Sequence, residues 1–222
     1  MINKDLWIEE ILKKLKEVFA TRLLFVGLQG SYVRNEATET SDFDLVVVLD
    51  TLDINDLKTY RAITETMPEY EKACGFIGGK EELANWPGHE LLQFAKETVA
   101  YYGSLDSILP PLTEEDVKTG VKNSASAIYH AACHTYVHAP KDTLHQNAKA
   151  FYKGAAFIVQ MLCFVKTGEY IPTKKELLTR ATGEDYNILS LSMNFDNSAL
   201  SDEELYGQLI SWCGKLIIET GK

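Results

Sequence analysis

Two aspartates one residue apart, Asp42 and Asp44, are the side chains of this sequence best placed for chemistry. They lead into an apolar run, Leu45 to Leu49, that reads as a buried strand. Alternate residues of a strand share a face, so Asp42 and Asp44 are expected to point the same way and Phe43 into the core. Two carboxylates this close repel each other unless a cation lies between them. Hard divalent cations such as Mg²⁺ take oxygen ligands of this kind. Upstream, the strand-like run Leu23 to Val26 is followed by Gly30-Ser31, a small pair where backbone can approach a phosphate closely. A phosphate cradle beside a metal-binding carboxylate pair is the outline of a phosphoryl- or nucleotidyl-transfer site.

Other residues with chemical potential lie further on. His130, His134 and His138 are spaced i, i+4, i+8 and line one helix face within about 12 Å. They could hold Zn²⁺, but the outer pair is too far apart for one tetrahedral ion. The alternative is a helix face whose histidines bond neighbours or water. Lys153 interrupts an apolar helix face near Phe151, Tyr152 and Phe157, and Lys174 and Lys175 open a helix after Pro172. Each also fits a lysine snorkelling at a helix edge.

The elements that must position these residues can be read from periodicity. Residues 5–19 carry apolar side chains at helical spacing. Strand, polar loop and strand follow, then a helix from Asn55 to Thr66 ended by Pro68. Tyr70 to Ile77 is expected as a third strand, with Gly78-Gly79 as its turn. Glu81 to Tyr102 is expected to be mostly helix, interrupted near Trp86-Pro87-Gly88. Leu109-Pro110-Pro111-Leu112 is the best boundary in the chain, giving domains 1–112 and 113–222. Thr113 with the acids up to Asp116 resembles a helix N-terminus. Helices are expected over Ala125 to Val137, Ala148 to Lys166, Lys174 to Ala181 and Asp202 to Glu219. The fold class is therefore α+β: a mixed sheet with helices, followed by an all-α helical bundle.

Composition narrows the partners. The 222 residues are 45% apolar and 24% charged, ordinary for a globular protein with a sizeable core. No apolar run approaches membrane-spanning length and MINKDLWIEE is too polar for a signal peptide. Four scattered cysteines read as reduced, mostly buried thiols, so a cytoplasmic location is expected. Net charge is −10, of which residues 1–112 contribute −8. Such a surface repels nucleic acid and suits a small cationic molecule.

Gly30-Ser31, Arg34, Ala37 and Ser41-Asp42-x-Asp44-Leu45, in order between two apolar strands, resemble the signature of the DNA polymerase β-type nucleotidyltransferase superfamily. The stretch YIPTKKELLTRA and the closing helix from LSDEEL are similar to the C-terminal domain of kanamycin-type aminoglycoside nucleotidyltransferases. The resemblance implies transfer of a nucleoside monophosphate from an NTP, ATP first among them, to a hydroxyl of a small molecule such as an aminoglycoside, with release of pyrophosphate. It implies Mg²⁺ on Asp42 and Asp44, and the terminal phosphates on Gly30 and Ser31. Arg34 would neutralise phosphate charge, unless it forms an ion pair with Glu36 or Glu39. Ser41 belongs to the same nucleotide-binding stretch, although fixing the turn before the strand suits it better. Lys153 would reach the triphosphate. Alignment with a glutamate base and a lysine of those relatives implies His130 as the catalytic base beside His134, with Glu90 and Glu97 the next candidates. A homodimer is an option, since kanamycin-type relatives build their site across one. The family's third metal-binding acid falls on Gly75 here. Glu71 has the right strand parity but lies about 13 Å along the strand; Glu81 or Glu90 could substitute. Two other readings stay open: a regulatory or antitoxin-type nucleotidyltransferase acting on protein or RNA, and a catalytically dead nucleotide-binding module.

Overall fold

The computed structural model describes residues 3–34 and 37–219. It divides into two compact units, Met1–Pro111 and Leu112–Lys222. In the first unit, helix α1 (Lys4–Phe19) starts at Asn3, whose side chain accepts from the amides of Asp5 and Leu6. That satisfies donors a helix start leaves open. Its buried stripe is Trp7, Ile8, Ile11, Leu15 and Phe19. Each such side chain gains about 1.5–3 kcal/mol over an exposed one.

Strands β1 (Leu23–Gln29) and β2 (Phe43–Leu49) are the centre of a four-stranded sheet of order β3-β2-β1-β4. β1 pairs antiparallel with β2 and with β4 (Val99–Tyr102), and β3 (Ala73–Gly79) pairs parallel with β2. The sheet is therefore mixed. Helix α2 (Ile54–Thr64) makes the crossover from β2 to β3 and carries a capping box of Asp53 and Asp56. Arg22 forks onto Asp56 at 2.7 and 2.9 Å and ties the helix start to the end of the sheet. Val26, Leu28, Phe43, Leu45, Val47 and Leu49 bury against α1. The alternate positions, among them Phe25 and Val46, are buried on the other face, where α3 (Lys80–Ala84) and α4 (Gly88–Glu97) contribute buried Leu83, Leu91 and Leu92.

Several boundaries differ from expectation. Tyr70–Lys72 is a 3-10 turn, and β3 begins only at Ala73. Gly78 and Gly79 are paired strand residues opposite Val48 and Leu49 rather than a turn. The break at Trp86-Pro87 separates α3 from α4, but residues 99–102, expected as helix, form β4. An edge strand of four residues is too short for its alternation to show against a neighbouring helical pattern.

The second unit is helical: α5 (Glu114–His138), α6 (Leu144–Thr167), α7 (Lys174–Arg180), α8 (Gly183–Asn194) and α9 (Asp202–Glu219). Thr113 and Asp116 form the capping box that starts α5, well ahead of Ala125. Gly168, at φ 71°, ends α6. The short helix α8 went unrecognised in the sequence. Buried polar atoms are satisfied internally: Tyr152 Oη donates to the Leu205 carbonyl at 2.9 Å, and Gln160 Nε2 donates to the Ile171 carbonyl at 2.7 Å. By length and composition, Lys141–Thr167 could cross a membrane, contrary to the expectation that no run does. Ala148, Tyr152, Ala155, Ile158 and Val159 from it are buried in the core of the unit. The cysteines also differ from expectation, since Cys213 alone is buried and Cys74 is exposed; all four are free thiols. Burial pushes the Cys213 thiol up to about 12.

Candidate active site

The entrance to β2 is fixed by a stack of three rings. Phe43 lies between Trp7 of α1 and Tyr32, with ring centroids 4.4 Å away on each side and nearly parallel planes. Phe43 is fully buried, while Asp42 before it is exposed and Asp44 after it is half-buried. Asp44 pairs with Gln29 across the β1–β2 ladder. Directly after Gln29, Gly30 takes φ 75°, a left-handed conformation that L side chains seldom adopt. A β-carbon built there would lie 1.8 Å from Asp44 Oδ2. The carboxylate thus rests where any side chain at position 30 would be. The Gly30 carbonyl accepts from the amides of Val33 and Arg34 at 3.2 and 3.3 Å, so the chain turns tightly through Ser31 to Arg34. Cradle and carboxylate are one structure.

Burial, and next the charge of Asp42, raise the pKa of Asp44 above the ordinary aspartate value, while Arg34 opposes the rise. Both effects disfavour the charged carboxylate. Arg34 forms an ion pair with Glu97 at the end of α4, at 3.5 Å. Glu36 lies outside the described residues, and the Glu39 carbonyl accepts from Lys72 Nζ at 2.7 Å. Ser41 Oγ accepts from the Thr38 amide at 2.9 Å and the Ser41 amide donates to the Thr38 carbonyl, so this residue shapes the turn before β2.

Among the described residues no three His, Cys, Asp or Glu side chains gather into a metal site. Asp42 and Asp44 are a two-carboxylate set. That fits Mg²⁺, which is bound by one or two carboxylates and completes its shell with water and substrate phosphates. Gly30 keeps its turn against the Asp44 carboxylate. β3 offers no third acid nearby. Gly75 sits opposite Leu45 at φ 117°, and a β-carbon there would lie 2.1 Å from the Leu45 carbonyl oxygen. Glu71 belongs to the 3-10 turn ahead of the strand, which removes the parity argument for it. Glu81 is exposed on α3. Glu90 and Glu97 instead border a cavity of about 540 Å³ beside Gln29, Gly75 and Phe76. Glu97 is the acid whose position the sequence could not give, because it depends on where α4 returns to the sheet.

The remaining candidates belong to the helical unit. His130, His134 and His138 are exposed along α5, with ring centroids 6.2 and 4.8 Å apart in succession. They form no metal-binding group with other side chains. Lys153 is exposed on α6. Lys174 is half-buried, and burial followed by repulsion from Lys153 lowers its pKa.

Comparison with known proteins agrees with this geometry. Residues 8–87 match the family model described as a nucleotidyltransferase domain. No curated protein sequence matches the chain. Among solved structures, spectinomycin adenyltransferase AAD(9) from Enterococcus faecialis, determined with ATP and spectinomycin, aligns over 99% of this chain and 100% of its own. Its TM-score is 0.55 at 16% sequence identity, a likeness of fold. Most of α1, the β1–Gly30 turn, the Asp42–Asp44 pair and β3 fall within the matched segment, so residues 8–87 of this chain match a nucleotidyltransferase domain, and the chain as a whole resembles a spectinomycin adenyltransferase in fold.

Proposed function

We propose that this protein transfers a nucleoside monophosphate from an NTP, with ATP the first candidate, to a hydroxyl of a small cationic molecule such as an aminoglycoside, releasing pyrophosphate. The observation that carries the reading is the seat of the Asp44 carboxylate against Gly30, where a β-carbon would lie 1.8 Å from Oδ2. It joins the phosphate-binding turn to the acid pair. Asp42 and Asp44 would hold Mg²⁺, which when bound supplies Lewis-acid polarisation of the transferred phosphate. Gly30 and Ser31 offer a backbone amide and a hydroxyl to the terminal phosphates, and Arg34 offers a neighbouring positive charge. The net charge of −10 favours a cationic acceptor. The solved relative of like fold is named for spectinomycin and was determined with ATP, which supports the same choice of donor and acceptor class.

A nucleotide-binding module without turnover is the second reading, favoured by the exclusion of any side chain at Gly75. Thermal melting with ATP, GTP, CTP and UTP, each with and without Mg²⁺, followed by pyrophosphate release across an aminoglycoside panel, separates the two. A ligand at 100 times its Kd stabilises the fold by about 2.7 kcal/mol. Mg²⁺-dependent stabilisation by one nucleotide, lost in the Asp42→Asn/Asp44→Asn double variant, together with acceptor-dependent pyrophosphate release, is the expected result. Stabilisation without release under any acceptor leaves the binding module. Undiminished Mg²⁺-nucleotide binding in the double variant overturns the metal assignment.

A further inference from the structure

Transfer to a hydroxyl needs a group to take its proton, and we infer that Glu97 is that base. The inference rests on the transfer reading above. The acceptor oxygen forms a bond to the α-phosphorus, its proton passes to a Glu97 carboxylate oxygen, and the bond from the α-phosphorus to the pyrophosphate oxygen breaks. Pyrophosphate leaves and Glu97 returns its proton to water.

Three observations favour Glu97. First, the end of α4 is pinned to the end of β1. Gln29 Nε2 donates to Thr98 Oγ1 at 2.7 Å and to the Phe94 carbonyl at 3.3 Å, and Gln29 is the ladder partner of Asp44. Second, Glu97 lies 3.5 Å from Arg34, whose charge acts on Asp44. The Arg34 amide donates to the Gly30 carbonyl at 3.3 Å, in the turn that lies against Asp44. Third, the Glu97 side chain is 13% exposed and borders the cavity of about 540 Å³ that opens beside Gln29 and Gly75. A small acceptor entering there meets Glu97 on a wall shared with Gln29, the ladder partner of Asp44.

Its rivals within this unit are placed less well. Gly75 admits no side chain. Glu90 is seven residues earlier on α4, about 10 Å along the axis. One of its oxygens already accepts from the Trp86 indole at 2.6 Å, and its side chain is 55% exposed.

The test is the pH dependence of kcat at saturating Mg²⁺, nucleotide and acceptor for the parent, Glu97→Gln, Glu97→Asp and His130→Ala. If Glu97 is the base, the parent rate rises with pH to a plateau. Glu97→Gln then loses about 10²-fold or more in kcat and shows no rising limb, while nucleotide affinity from thermal shift stays within about twofold. Glu97→Asp, which keeps a carboxylate, keeps the limb at reduced rate. Glu97→Gln that retains the limb while its nucleotide KM rises makes Glu97 only a clamp on Arg34 and overturns the inference. Loss of the limb in His130→Ala overturns it in favour of the histidine. A parent that releases no pyrophosphate with any acceptor overturns the transfer reading, and the base with it.

Discussion

Replacing Gly30 by alanine tests whether the cradle and the acid pair form one device. Two costs can be worked out separately. The backbone at φ 75° costs an L residue about 1–2 kcal/mol wherever it occurs. The new β-carbon would also stand 1.8 Å from Asp44 Oδ2 and 2.9 Å from its carboxyl carbon. The carboxylate must swing away by more than an ångström, out of its preferred rotamer, at about 0.5–1.5 kcal/mol. Gly30→Ala should therefore lose about 1.5–3.5 kcal/mol in the parent background. In Asp44→Ala the second cost disappears, because the contact left is with the Asp44 β-carbon at 3.3 Å. The same substitution should then lose only about 1–2 kcal/mol. Urea unfolding of the four proteins gives the coupling, expected at about 0.5–1.5 kcal/mol. Turnover of Gly30→Ala should fall by about 10²-fold under conditions where the variant stays folded, since an ångström of misplacement of the carboxylate suffices. Equal losses of stability in both backgrounds, or near-parental pyrophosphate release from Gly30→Ala, would refute the reasoning.

Asp44→Asn should stabilise the metal-free protein near neutral pH. The carboxyl pKa is raised in the fold by burial and then by Asp42, so the folded state holds its proton to higher pH than the unfolded chain does. The penalty is absent below the unfolded value of 3.8, grows as pH rises through the raised folded value, and is fully present above it. The melting temperatures of parent and Asp44→Asn should therefore converge at low pH and separate above it, with Mg²⁺-nucleotide raising only the parent; a gap unchanged down to pH 3 would refute this. Phe43→Ala should cost about 3–5 kcal/mol in urea unfolding, because the ring is fully buried between Trp7 and Tyr32. It should also abolish Mg²⁺-dependent nucleotide binding at temperatures where the variant stays folded, because the stack sets where β2 begins; retained binding would show that the acids are positioned otherwise.

Much of this site is written locally. Glycine at the end of one apolar run and Asp-Phe-Asp at the start of the next are enough to place the carboxylates and bury Phe43, because strand alternation acts over neighbouring residues. The capping residues Thr113 and Gly168 act within one turn and are likewise legible. What needed the tertiary structure depends on residues far apart in the chain. Residues 99–102 become a strand because the edge of β1 is open to them, not through any preference visible in four residues. Gly75 is glycine because the Leu45 backbone passes too close for a β-carbon, a fact held by the β2–β3 pairing. Arg34 meets Glu97 across 63 residues because α4 is anchored through Gln29 and Thr98. Sequence periodicity fixes which face a residue takes on its own element. Which element that face meets is decided by packing, and so the Asp42–Asp44 pair was readable from its own strand while the pairing of Arg34 with Glu97 was not.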